Sequence, residues 1–404
     1  MAFFTIFAKR NTLTTISITH KYMTIRLFNP DHDLALAANQ KRFTAPHAGR
    51  KLREDLAFLP ALWADDGDIV VVEDIDAAEV LYRKLKCKGK PDVEFCTLRQ
   101  LPAILKDYGI TSDGSNKAVG CPDDVRIDVW GWDAAICFQL ESNGVPRALM
   151  PSDKELQLIR ELSNRRFSSS ILKELNALHA NVCGVSEYIA DIEVFRQELL
   201  KRNNTCVVKA PWSCSGRGVR YFLGSSDSEN TYMNTMSWAS NVVAQQGGVM
   251  IEPYYNKVKD FAVEFRLDTS GAVIPVGLSL FDTRNGAYTG NMLATEDEKR
   301  DILSSYIDLS LLDSIAQDIC RLTQPHLAPL ASPAFDMHFG VDMMIIAKDD
   351  ADGFLLHPCV EINLRRTMGL AALSLSPTER DNQAVMSINY ESKKYHLIIK
   401  NNFN

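Results

Sequence analysis

The sequence has few features that would point to secretion, a membrane or nucleic acid. Its nine cysteines include no CxxC pair and none at a zinc-like spacing with histidine, which excludes a small disulfide scaffold and a zinc finger and fits the reduced thiols of a cytoplasmic protein. The longest apolar runs, such as Ile69 to Val72 and Phe339 to Ala347, fall far short of the ~20 residues that cross a bilayer. No membrane partner is therefore expected. Forty-four Lys and Arg against 51 Asp and Glu leave a formal charge of -7 without any basic run, which argues against nucleic acid as a partner. There is no internal repeat, no low-complexity tract and no GxxxxGK[ST] phosphate loop.

What remains is a chain of 404 residues, 46% hydrophobic, long enough for two or three domains. Residues 1–22 carry no acidic residue and no periodic pattern, and they read as an extension that is not native or is disordered, with a targeting segment as the rival reading. From Met23 to about 150, short apolar runs (24–28, 69–72, 93–96) alternate with helical patterns (50–59, 76–85), the rhythm of a parallel βαβ sheet. After Pro151 two helices are predicted, 152–163 with a Ser152/Glu155 capping box and 168–178. Longer strands then follow at 205–210, 249–255, 260–267, 272–282, 339–347 and 354–363. Residues 151–375 form the expected catalytic region, and 376–404 a polar tail, strand-like at 395–399, without an assigned role.

Three segments carry chemistry. In VVKAPWSCSGRGVRY a strand ends at Lys209, and Ser213, Ser215, Gly216 and Gly218 follow, small residues that let backbone N–H groups approach phosphate oxygens. A plain hairpin reads equally well from this segment alone. In VMIEPYYNKVKDFAVEFRL, Pro253 ends or bends a strand, and the next strand places Asp260, Ala262, Glu264 and Arg266 on one face, which a solvated charged face would also explain. The third segment, FGVDMMIIAKDDADGFLLHPCVEINLRR, reads as a hairpin. A two-residue loop at Ala351 and Asp352 sets Asp342 opposite Glu361, and one at Asp352 and Gly353 sets it opposite Asn363. Either way Asp342, Glu361 and Asn363 share a face, an all-oxygen set suited to Mg²⁺ or Mn²⁺.

The order of strand lysine and glycine-rich loop, Glu-Pro-Tyr linker, acidic strand, Asp strand, then Glu-x-Asn and arginine resembles the ATP-grasp superfamily over roughly 152–375. The resemblance implies an amino-terminal parallel-sheet (α/β) domain followed by two α+β lobes holding ATP between them. It implies that Lys209 and the 213–218 loop contact the ATP phosphates, that Glu252 and backbone near Tyr254 receive the adenine, and that Asp260 takes the ribose. Asp342, Glu361 and Asn363 would hold Mg²⁺, and Arg365 or Arg366 would stabilise the transferring phosphoryl group or bind the carboxylate. The further lysine usual upstream is replaced by Arg165 or Arg166, with Arg166 taken as the ATP contact, and Trp212 is bulky for a phosphate loop. The implied activity is ATP-dependent ligation of a small-molecule carboxylate to an amine, with phosphoryl transfer without ligation, or nucleotide-dependent regulation without turnover, as alternatives. A homodimer is compatible with all three. For the acceptor, Asp31, His32 and Asp33 at the end of the first strand and the loop 284–291 are candidates, against helix capping and an ordinary hairpin as the plainer readings.

Overall fold

The computed structural model describes residues 23–85, 90–108, 110, 125–202, 205–213, 218–224, 229–284, 287–348 and 352–401. The extension 1–22, and Ser215 and Gly216 of the candidate phosphate loop, lie outside the described residues.

A parallel sheet forms from β1 (Met23–Leu27), β2 (Ile69–Val71), β3 (Glu94–Cys96) and β4 (Val125–Val129), in the order β3-β2-β1-β4, with β1 and β2 buried on both faces. The order reverses at β1, whose two neighbours are β2 and β4. Helices Ile75–Lys84, Leu101–Asp107 and Ala134–Ser142 follow β2, β3 and β4, the first and third capped by Asp74 and Asp133 side chains.

After Pro151, helix Asp153–Leu162 starts on the expected capping box: Ser152 Oγ accepts from Glu155 N, and Glu155 accepts from Ser152 N at 2.6 Å. Helix Arg165–Leu178 begins three residues earlier than its apolar pattern, because the Asn164 side chain accepts from Arg166 N and supplies the cap. A four-stranded antiparallel lobe contains β5 (Glu187–Ile189), β6 (Thr205–Lys209), β7 (Val219–Leu223) and β8 (Val249–Glu252), in the order β5-β8-β6-β7. Strand β8 stops immediately before Pro253, which has no N–H to give a ladder. Phe195, Leu199, Phe222 and Met236 form the core between this sheet and helices Ile192–Lys201 and Glu229–Gln246.

The second lobe is a seven-stranded antiparallel sheet of β9 (Lys257–Leu267), β10 (Val273–Arg284), β11 (Ala287–Leu293), β12 (Met337–Ala347), β13 (Phe354–Asn363), β14 (Ala384–Glu391) and β15 (Lys394–Asn401), in the order β13-β12-β9-β10-β11-β14-β15. Its back face contributes Phe261, Val263, Phe265, Phe339 and Val341 to a core shared with Ile171 and Ile315 of helices Arg165–Leu178 and Leu309–Leu327. Phe265 stacks on Phe339 at 4.9 Å between centroids. Each such ring contributes about 1.5–3 kcal/mol on burial, so this layer sets the register of β9 against β12. The tail is the far edge of this sheet: Tyr395 N donates to Asp55 Oδ2 at 2.9 Å, and Ile388 and Leu397 pack on the cluster that holds Phe28, Leu56 and Phe58.

The parallel sheet meets the second lobe through Ile127 N to Ala334 O (2.9 Å) and an Ile127 to Phe335 bridge. Among the described residues no helix is long and apolar enough to cross a membrane.

Candidate active site

The β12–β13 ribbon carries the centre of the site. Near its open end Asp342 pairs with Glu361 and Gly340 with Asn363. Nearer the turn the register differs by two residues, with Met344 opposite His357 and Ala347 opposite Phe354. The loop is therefore longer than the two-residue loop expected from sequence, since both strands end before it. The irregularity falls at Pro358 to Val360, where proline cannot donate to the ladder, and it brings Glu361 rather than Cys359 opposite Asp342.

Asn363 Nδ2 donates to Asp342 Oδ2 at 3.2 Å, and Arg365 Nη2 donates to Asn363 Oδ1 at 2.9 Å. Arg365 Nε also reaches both oxygens of Asp33 at 3.0 and 3.2 Å, tying the loop after β1 to the second lobe. Loss of solvent and the neighbouring Glu361 push the Asp342 carboxyl up to about 7, against the opposing pull of Arg365 and Asn363. A second cation approaches from the other side. Arg165 Nη2 lies 2.7 Å from Glu361 Oε1, while its Nη1 donates to Ser213 Oγ at 2.7 Å and to Ala210 O. Ser168 Oγ, one turn along the same helix, accepts from Ile362 N at 2.8 Å, which occupies a free N–H of edge strand β13 and places the helix start beside Glu361.

On the smaller lobe, buried Lys209 pairs with buried Glu252 at 2.6 Å, and Ser186 Oγ donates to the other Glu252 oxygen at 3.0 Å. Gly218 sits against Ser213: a Cβ there would lie 2.1 Å from Ser213 Cβ, so only glycine fits that approach. Tyr254 is exposed, with Tyr221 edge-on at 6.1 Å. Asp260 accepts from Thr283 Oγ1 at 2.6 Å and from Lys257. Trp212 turns away from the loop, its Nε1 donating to Arg160 O and its ring covered by the Arg160 guanidinium at 4.0 Å.

Two expected positions are corrected. Arg366 does not join the cluster: its Nε donates to Asp128 Oδ1 at 2.8 Å and its guanidinium lies 5.1 Å over the Trp63 ring, because the chain bends after β13, with Arg365 N donating to Asn363 O and Arg366 N to Trp130 O. Arg166 is exposed and lies 4.5 Å over Tyr188, while Arg165 is the residue that reaches Glu361 and Ser213.

Glu264 is the residue whose importance the alternation pattern did not reveal. It is 1% exposed, so the face it shares with Asp260 is not solvated there. A Cβ at Gly340 or Gly369 would strike its carboxyl oxygens at 2.6 and 2.0 Å. Its Oε2 has no hydrogen-bond partner, and burial pushes the group up to about 8. The signal available in sequence was a glutamate inside the apolar stretch Phe261 to Phe265, with glycines on two other segments.

Of the acceptor candidates, Asp31 holds the N-cap position without making a side-chain cap bond, His32 Nδ1 faces Asp133 Oδ2 at 3.1 Å, and Asp33 takes Arg365. The 284–291 segment is not a loop beyond residue 286: residues 287–291 belong to β11, where Tyr288 donates to Asn291, and Asn291 donates to Ser279 Oγ at 2.7 Å. Residues 285–286 lie outside the described residues.

No family model matches this chain, and no curated protein matches it either. Among solved structures the chain path is similar to that of the Staphylococcus aureus N5-carboxyaminoimidazole synthetase complexed with ADP (12% identity, 92% of this chain and 84% of that one, TM-score 0.44). It is also similar to a biotin carboxylase from Campylobacter jejuni in a β-γ-ATP complex (14% identity, 93% and 77%, TM-score 0.48). A third is the biotin carboxylase domain of the Hydrogenobacter thermophilus 2-oxoglutarate carboxylase (12% identity, 92% and 75%, TM-score 0.46).

Among the described residues no group of three His, Cys, Asp or Glu converges. Two carboxylates and an amide do, and they are oxygen donors, with the Asp342 carboxyl raised to about 7 by burial and by Glu361 beside it. That combination fits a hard divalent ion completed by ligand oxygens.

Proposed function

We propose that this chain is an ATP-grasp-type ligase that activates a substrate carboxylate with ATP and joins it to an amine, releasing ADP and phosphate. The observation that carries the reading is the meeting of Asp342, Glu361, Asn363 and Arg365 on one lobe with Lys209, Glu252 and Ser213 on the other, with Arg165 touching both.

Asp342, Glu361 and Asn363 are the residues that would hold Mg²⁺, which when bound neutralises phosphate charge. Lys209 offers its ammonium to the nucleotide phosphates. Its present partner Glu252 keeps a hydrogen bond from Ser186, so the pair can open while Glu252 turns one oxygen to the adenine amino group. Asp260 accepts from the ribose hydroxyls in place of Thr283. Arg365, held by Asp33, Asn363 and the carbonyl of Arg366, is the cation proposed to meet the carboxylate under activation. In-line attack of that carboxylate on the γ-phosphate gives an acyl phosphate and ADP, and amine attack then gives the amide and phosphate. Asp33 fixes Arg365 from the parallel-sheet domain, so the acceptor side of the reaction is proposed to lie where that domain meets the second lobe.

The test is incubation with ATP, Mg²⁺ and pooled amino acids, following ADP with and without hydroxylamine. Ligation predicts a trapped hydroxamate. A stable phosphorylated product with no amide from any acceptor would refute it.

A further inference from the structure

The carboxyl ends of β1, β2 and β3 enclose a cavity of about 420 Å³. None of its lining residues belongs to the cluster around Asp342 and Arg365. Its floor is apolar and buried, from Leu27, Phe28, Ala57, Val71 and Val72. Its rim is polar, with Arg53, Glu73, Thr97, Arg99, Gln139 and Asn143. The volume and the pattern of apolar floor and few polar groups are those of small-molecule sites, and in open α/β sheets the crevice beyond the carboxyl ends of the strands is where ligands bind.

The rim also specifies a chemistry. Arg53, on helix His47–Asp55, lines the cavity and donates from Nη2 to Gln139 Oε1 at 2.7 Å, with no other hydrogen bond or ion pair among the described residues. Arg99, after β3, makes no hydrogen bond or ion pair among the described residues. Two guanidinium groups line one small cavity, a charge pattern that favours an anionic ligand. Glu73, immediately beyond β2, is likewise without a partner among the described residues and accepts only. An acidic side chain at the end of a second parallel strand is placed to take vicinal hydroxyls. Gln139 and Asn143 add amide donors and acceptors on the third side.

We propose that this cavity binds a small polyhydroxylated anion, a sugar phosphate or sugar acid. The anionic group lies between Arg53 and Arg99, the hydroxyls face Glu73, and the carbon face rests on Phe28 and Val72. The inference stands on the cavity alone and does not rest on the nucleotide reading above.

The test is calorimetry on the full chain without ATP, using ribose 5-phosphate, gluconate and uncharged ribose as probes. At least one anion binds with a Kd below about 1 mM, and ribose binds at least about tenfold more weakly. Arg99→Ala lowers the anion's affinity by about tenfold or more, and Arg53→Gln does the same. Glu73→Gln weakens the polyol anion but leaves inorganic phosphate unchanged. Arg99 is exposed, so its variant keeps the test open if Arg53→Gln fails to fold. Phosphate arms and carboxylate arms tell the two anion sources apart. Binding of neither anion at about 10 mM, or an affinity indifferent to Arg99→Ala, overturns the proposal.

Discussion

Arg365 and Arg366 are adjacent in sequence and serve opposite kinds of polar centre. Arg366 enters a closed ionic network at the joint between the parallel sheet and the second lobe, where Asp128 also accepts from Arg26 and from Trp63 Nε1, and Arg26 is shared with Asp68. Burial alone would raise the Asp128 carboxyl, yet Arg366 and Arg26 hold it well below the usual carboxylate range. Arg365 enters an open centre, where Asp342 is pushed the other way, to about 7. The two centres differ in what surrounds the carboxyl: Asp128 is matched by two guanidinium groups, whereas Asp342 lies opposite a second carboxylate, Glu361.

The sharpest way to break this comparison is at the closed network. Asp128→Ala leaves Arg366 and part of Arg26 buried without a counter-charge, and it is expected to cost about 3–5 kcal/mol of stability, read from chemical denaturation. A loss under about 1 kcal/mol would mean that the joint is not what holds the two regions together.

At the open centre the effect moves from stability to rate. Arg365→Lys keeps the charge but loses the planar fork, and it should lower ADP formation by about 10²-fold with little change in melting temperature. Equal rates for the two proteins would place Arg365 with Arg366 as a structural residue.

Lys209→Ala removes a charge-assisted contact worth roughly 1.5–3 kcal/mol, so ATP should bind about tenfold to a hundredfold more weakly. Because the variant also strands Glu252, the companion Lys209→Ala with Glu252→Gln restores the melting temperature and leaves ATP binding weak. Recovery of ATP affinity in the double variant would show that Lys209 serves only to neutralise Glu252.

A pH dependence follows from Glu264. Folded Glu264 keeps its proton up to about 8, against an ordinary 4.5, so folding takes up a proton between those values and stability falls as pH rises through that window. Glu264→Gln should flatten this slope, gaining most over the wild type near pH 8 and little at pH 5. A parallel offset at both pH values would show that Glu264 is ionised in the folded protein.

The β12–β13 pairing was legible in sequence because a period of two leaves few ways to arrange Asp342, Glu361 and Asn363, and both registers gave the same face. The two-residue irregularity at Pro358 was not, since a proline within a strand marks a departure from the ladder without saying how many residues it takes up. Parity set Arg365 and Arg366 on opposite faces of a continuing strand, and they do part, but through a bend after β13 ends at Asn363. The choice between Arg165 and Arg166 failed for want of a helix start: once Asn164 caps the helix, the 3.6-residue turn buries one arginine and exposes the other. The carboxyl-terminal tail was unreadable because β14 and β15 are the half-exposed edge of a sheet completed by residues a hundred positions away, and their apolar contacts lie with Phe28 and Leu56 of the first domain. Glu264 escaped notice for the same reason, since its glycine neighbours come from β12 and from helix Met368–Leu375.

The central claim, that Asp342, Glu361 and Asn363 form a cation site serving the nucleotide, is tested most directly by calorimetric titration of ATP with and without Mg²⁺ in the wild type and in Asp342→Asn with Glu361→Gln. The account predicts that Mg²⁺ tightens ATP binding in the wild type by about tenfold or more, and that the double variant folds but gains nothing from the ion. The same gain from Mg²⁺ in both proteins would contradict it.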